Sequence, residues 1–190
     1  MSKLILDVSV SLDGFSAGPN PRPEEPMGDG GEGLHEWAFS GEGPEGELDA
    51  GVRKELDAMV GSAIVGRRTF ELGTAPWGGT PWPNMASFVV THETRDDLLA
   101  DNGGTFYFDG LESAVRRAKE AAGDKDVVVL GAELAQSLLK AGLLDVVWIH
   151  LVPRLMGSGT RLFDGVQAEL IPEGKPLAGA ATHLRYRVAK

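Results

Sequence analysis

The run Val127-Val128-Val129-Leu130, closed by Gly131, constrains this chain more than any other segment. Four consecutive apolar residues have no polar face, so as a strand they must be covered on both sides. That calls for a central strand with helices above and below it. Residues 133–141 supply one helix, with Leu134, Leu138 and Leu139 facing inward and Gly142 as the stop. Residues 111–122 supply another through Leu111, Ala114, Val115 and Ala118. A second short apolar strand at 62–66 ends in Gly66, and residues 49–60 before it carry Val52, Leu56, Met59 and Val60 at helical spacing. Residues 69–72 begin a turn or helix that breaks before Pro76. Further strands are predicted at 4–10, 87–91, 105–109 and 146–152. Residues 181–188 alternate Thr, Leu, Tyr and Val with His183, Arg185 and Arg187, the pattern of a half-exposed edge strand. The expected architecture is a three-layer α/β sandwich. Its central sheet is mostly parallel, with an antiparallel C-terminal edge where strands follow one another without helices. At 190 residues the chain is expected to be one domain, 1–190.

Composition excludes several classes of chemistry. There is no Cys, hence no thiolate metal site, thiol nucleophile or disulfide. The four His residues, His35, His92, His150 and His183, show no ligand spacing, so no metal is expected. No apolar run is long enough for a signal peptide or a membrane span, which predicts a cytoplasmic protein. A net charge of −10 repels phosphate backbones and anionic membranes, so neither nucleic acid nor a membrane is an expected partner.

That charge is local. Residues 18–47 hold eight Gly, five Pro and eight acidic residues, with Arg22 the only Lys or Arg. This predicted Gly/Pro/acidic loop carries −7, which leaves the remaining chain near −3. Within it, Gly28-Asp29-Gly30-Gly31-Glu32-Gly33 matches the G-x-G-x-x-G dinucleotide pattern. The pattern works only between a strand and a helix. Pro21, Pro23 and Pro26 precede it, and Asp29 and Glu32 would repel phosphate, so a flexible loop is the expectation. Its apolar patch, residues 34–39 with Trp37, is the expected anchor.

Two turns do have the form of phosphate cradles. In Ala63-Ile64-Val65-Gly66-Arg67-Arg68-Thr69 an apolar strand ends in Gly and two Arg lead into a helix. Helix N-terminal N–H groups suit a pyrophosphate, and the Arg pair could add charge-assisted bonds to an extra phosphate. The pair would equally serve to cap the sheet edge. Val129-Leu130-Gly131-Ala132-Glu133-Leu134 repeats strand, small residues, helix, which is also the form of an ordinary tight turn.

Together these segments resemble the dihydrofolate reductase fold. More narrowly, the chain resembles the dihydrofolate-reductase-like family related to the reductase domain of the bifunctional riboflavin-biosynthesis deaminase–reductase. The matching pieces are Ser11-Leu12-Asp13-Gly14, Gly66-Arg67-Arg68-Thr69, Val89-Val90-Thr91-His92, Val129-Leu130-Gly131-Ala132, Gly142-Leu143-Leu144-Asp145 and Pro153-Arg154-Leu155-Met156-Gly157-Ser158-Gly159. The resemblance implies NADPH along the strand ends. Arg67, Arg68 and Thr69 would hold its phosphates, with Gly66 closing the strand before them. Thr91 and His92 would lie near the adenosine, and Leu130, Gly131, Ala132, Glu133 and Leu134 would give backbone contacts. Ala17 would approach the nicotinamide, and Asp13 would face a small-molecule substrate. It also implies a homodimer. Two positions depart from the family pattern: Ala132 replaces a second Gly and Val146 replaces a Glu.

Hydride transfer also needs a proton. Asp13, Glu36 and Asp49 are the candidate acids by position, with Asp13 favoured, although a turn role hydrogen-bonding its own backbone fits it as well. Trp37 could close over the nicotinamide, or serve as a hydrophobic anchor. The leading expectation is an NADPH-dependent reductase of a small planar or carbonyl substrate. The alternative is a non-catalytic nucleotide-binding or interaction protein on the same fold.

Overall fold

The computed structural model describes residues 2–39, 41 and 43–190. The strands are β1 (Leu4–Ser11), β2 (Phe15–Ala17), β3 (Val60–Gly66), β4 (Ala86–Val90), β5 (Leu98–Leu99), β6 (Thr105–Asp109), β7 (Asp126–Leu130), β8 (Val146–Val152), β9 (Thr160–Arg161), β10 (Leu170–Pro172), β11 (Leu177–Ala178) and β12 (Thr182–Val188). The helices are α1 (Gly43–Met59), α2 (Arg67–Trp77), α3 (Leu111–Ala122) and α4 (Ala132–Lys140). Two 3-10 turns, Gly31–Leu34 and Glu36–Phe39, precede α1.

The main sheet runs β10-β12-β8-β1-β7-β3-β4-β6-β5, with β11 also paired to β12. From β8 to β6 every pairing is parallel. Strands β12, β10, β11 and β5 add antiparallel pairings at the two ends. The α/β sandwich with a mostly parallel sheet and antiparallel C-terminal region is therefore the fold. One detail differs: β12 is no edge strand, because it pairs β8 on one side and β10 and β11 on the other. The alternation of 182–188 reflects Tyr186 and Val188 turned to one core and a partly open opposite face, on which His183 is buried while Arg187 is exposed.

Alternation along the strands separates two cores. Leu4, Leu6, Val127, Val129 and Ile64 pack with Ala114 and Ala118 of α3 and with Leu134 and Leu138 of α4. Ile5, Val128, Ala63, Val65 and Trp148 pack on the other face with Val52 and Leu56 of α1, Phe70 of α2, and Leu34 and Trp37. The apolar run 127–130 is thus buried on both faces, as its composition requires.

Three boundaries moved. Helix α1 starts at Gly43, six residues before the expected Asp49, because Pro44 is harmless in a first turn and Glu45 complements the helix dipole. Val60 opens β3 rather than closing α1. Helix α2 takes in Arg67 and Arg68 and carries Pro76 in its last turn.

The acidic segment is tied together by internal hydrogen bonds and ion pairs. The Gly18 N–H donates to the Met27 carbonyl at 2.7 Å and the Asp29 N–H to that of Pro19 at 2.8 Å. Arg22, its one cation, spans Glu25 and Asp29. Leu34 is completely buried and Trp37 nearly so, which anchors the segment under α1 as the sequence suggested.

Candidate functional site

Strands β3 and β7 are neighbours, and Val65 pairs with Leu130. The register therefore sets Gly66 and Gly131 side by side, each at the N-cap of a helix. Neither N-cap bears a side-chain cap, so the first N–H groups of α2 and α4 face outward together. The Thr69 hydroxyl stands between the turns. A Cβ on Gly131 would lie 2.6 Å from Thr69 Oγ1, and one on Gly66 3.7 Å from the same atom. Gly131 also has φ 115°, a conformation that side chains disfavour. The close approach and the backbone both require glycine.

Ala132 departs from the family pattern without disturbing this turn. It is the first residue of α4, where its backbone is helical, and its methyl packs on the α3/α4 core. Leu134 points into the same core and Leu130 into the other, so only their backbones are available to a ligand. Glu133 is exposed in the first turn of α4. Arg67 and Arg68 are exposed in the first turn of α2. Arg67 is already matched by Glu93 at 2.5 Å and Glu71 at 3.4 Å, whereas Arg68 has no ion-pair partner among the described residues. Thr91 is buried and its hydroxyl accepts the Glu93 N–H at 3.1 Å; His92 is exposed beside it. Ala17 ends β2 against β9, where a Cβ on Gly159 would come 2.1 Å from the Ala17 carbonyl oxygen.

Two expected catalytic residues have other tasks. Asp13 clasps the loop after β8: its carboxylate accepts the Met156 N–H at 3.0 Å, the Gly157 N–H at 2.6 Å and the Ser11 hydroxyl at 2.6 Å. The Ser11 hydroxyl first, and then these backbone donors, hold its pKa down at about 2. A carboxylate held by these donors favours its ionised form, which speaks for an orienting or structural task over proton delivery. The local turn role is replaced as well, since the backbone it binds lies 143 residues away. Trp37 does not lie open for a nicotinamide. Its indole Nε1–H donates to Ser9 Oγ at 2.8 Å, and its ring sits 4.3 Å from that of His150 and 4.9 Å from that of His183. It is the anchor. Glu36 is exposed and faces Arg154 at 3.4 Å.

What the sequence reading missed lies beneath Trp37. Asp7 Oδ1 meets His150 Nε2 at 2.8 Å, His150 Nδ1 meets His183 Nδ1 at 2.7 Å, and His183 Nε2 meets Asp49 Oδ1 at 2.8 Å. Asp49 accepts the Ala180 N–H through its other oxygen at 3.0 Å. His150, His183 and Asp49 are almost wholly buried, while the Asp7 side chain keeps 17% exposure. Burial pushes the His183 pKa down, against the pull of the Asp49 hydrogen bond, and burial lowers that of nearby His35 as well. The signal was available: Asp7, His150 and His183 interrupt strands at inward positions, and an inward polar group needs a partner. Asp49 had been noted as a candidate acid but without that partner.

A profile of the RibD C-terminal domain family matches residues 2–176. The chain belongs to this family. The Bacillus subtilis (strain 168) protein YwjB, described as uncharacterized, is 28% identical over 188 residues, 97% of each chain. Among solved structures, a Shewanella sp. PV-4 protein described as a riboflavin biosynthesis protein matches with a TM-score of 0.70 at 20% identity, over 100% of both chains. Dihydrofolate reductase from Enterococcus faecalis, complexed with NADP(H), matches with a TM-score of 0.52 at 16% identity, over 99% of this chain and 97% of that one. Family and fold are reductase-like. Among the described residues no helix is long and apolar enough to cross a membrane.

Proposed function

We propose that this protein is an NADPH-dependent reductase of a small planar or carbonyl substrate. The observation that carries the reading is the pair of uncapped helix N-termini set side by side at Gly66 and Gly131, with the Thr69 hydroxyl between them and Arg68 unmatched at the rim. The unpaired N–H groups of two helix starts and a spare guanidinium suit a pyrophosphate with a further phosphate. NADPH would bring the hydride; the chain's own residues would hold and orient it and exclude water. The backbones of 67–69 and 132–134 would bind the pyrophosphate, and Arg68, with Arg67 behind it, would favour NADPH over NADH. The likeness to an NADP(H)-bound dihydrofolate reductase supports the same cofactor.

The test is thermal unfolding with each cofactor, followed by turnover on pteridine, ribosylaminopyrimidine and carbonyl compounds. A ligand at 100 times its Kd adds about 2.7 kcal/mol of stability, a rise of roughly 5–10 °C at this size. A clear shift with NADPH and little with NADH is expected; no shift with either removes the reading. The commitment of Asp13 to its clasp favours a second reading, cofactor binding without turnover. Turnover of any panel compound would eliminate it.

A further inference from the structure

We infer that Asp7 is the proton-donating carboxyl of this site, with His150, His183 and Asp49 behind it as a hydrogen-bonded store that resupplies it. The inference rests on the reductase reading for its substrate, but the store itself follows from proton counting. Three contacts of 2.8, 2.7 and 2.8 Å link four groups, and each contact needs one hydrogen. Two neutral imidazoles bring two, and carboxylates bring none. With only those two, both directed at the carboxylates, the facing Nδ1 atoms would press lone pair against lone pair at 2.7 Å. The chain therefore holds a third proton and a net charge of −1.

Of the four groups, Asp7 offers that proton the most open way out. Asp49 is buried with both oxygens engaged, so the far end is closed. Trp37 covers the two imidazoles from the side of the acidic segment, and Trp148 lies 5.9 Å from the His150 ring. Asp7 alone among the four reaches solvent. The charged and titratable groups around the chain are His35 in the acidic segment, Arg53 and Glu55 on α1, Arg185 on β12 over Trp148, and Glu173 and Lys175, which line a cavity with His183. Burial disfavours a lasting charge on His183.

Position ties that end to the cradle. Leu6 pairs with Val129, so Asp7 stands level with Leu130 and hence with the Gly66 and Gly131 turns. Alternation places its side chain on the α1/α2 face, the face of Ile5. When the carbon of a C=N or C=O bond takes the hydride, its π electrons become a lone pair on the heteroatom, and that atom takes the proton from Asp7. The substrate is reduced and the cofactor oxidised. The store falls from three protons to two and recovers one from water through Asp7.

The experiment is histidine-selective ¹⁵N NMR on the full chain and on Asp7→Asn, beside NADPH thermal shifts and turnover on the panel above. Three protons over the four ring nitrogens of His150 and His183 and their carboxylate contacts are expected. Their exchange with water should slow in Asp7→Asn, which keeps an acceptor but cannot pass a proton. Turnover in Asp7→Asn should fall about hundredfold with an unchanged NADPH shift, and the decline of the wild-type rate as pH rises should vanish. Two protons in the wild type, or unaltered exchange in Asp7→Asn, overturns the store. An NADPH shift without wild-type turnover, or near-normal turnover in Asp7→Asn, overturns the donor role and leaves the cradle standing. No NADPH shift removes the reductase reading and the donor role with it, while the exchange comparison still decides the store.

Discussion

The Gly66 and Gly131 turns and the His150–His183 pair lie on opposite sides of β1, and they handle polar groups in opposite ways. At the turns, small residues and uncapped helix ends leave N–H groups facing outward. At the histidines all four ring nitrogens are answered within the molecule, under two tryptophans. The first arrangement leaves its hydrogen bonds to be completed by something that arrives. The second completes its own and keeps one proton that can leave. A binding site and a proton store therefore need different signatures, and polarity alone identifies neither.

The sharpest way to break the comparison is Asp49→Ala. It strands a buried imidazole and the Ala180 N–H, and removing one partner of a buried charged pair should cost about 3–5 kcal/mol. Urea unfolding measures this, and a loss below about 1 kcal/mol would mean that the pair is not closed as described. Gly131→Ala comes next. Its positive φ and the 2.6 Å approach to Thr69 Oγ1 predict a loss of about 1–3 kcal/mol in the same assay, together with loss of the NADPH shift. Arg68→Ala should leave stability within about 0.5 kcal/mol. It should weaken NADPH by about 1.5–3 kcal/mol in calorimetry and spare NADH, because one charge-assisted contact is lost.

The smallest effect is at Asp13. Its folded pKa of about 2 lies below the ordinary 3.8, so the unfolded chain takes up the proton first as pH falls. Its contribution is complete above about pH 4 and fades as pH drops through about 2. Asp13→Asn should flatten that part of the acid unfolding curve, and an unchanged curve would dissociate the clasp from stability.

The fold was legible because its signals are local and repeated. The double-faced apolar run at 127–130 forced a central strand, and strand–glycine–helix turns at Gly66 and Gly131 marked where a ligand could approach. Arg67, Arg68 and Thr69 were found for the same reason. The histidine chain was not legible by the tests applied, which sought ligand spacing along a single element. Its members come from β1, α1, β8 and β12, and only the pairing of His150 with His183 across the β8–β12 ladder brings them together. The clasp of Asp13 was not legible because its partners, Met156 and Gly157, are remote in sequence. The acidic segment was taken as flexible from its Gly and Pro content, although Leu34 and Trp37 already carried the reason for it to stay down.

The placement of β1 also shapes how the chain reaches this structure. Leu4, Ile5 and Leu6 sit between β7 and β8, paired with residues 127–129 and, from Ile5 onward, with 146 and beyond. On a ribosome adding about 5–20 residues per second, these apolar residues wait roughly 6–30 s before both neighbours have been made. During that time a stretch destined for complete burial has no native strand to join. The nascent chain is thus exposed to wrong pairings early, and factors that shield emerging apolar segments should affect its yield more than its final stability.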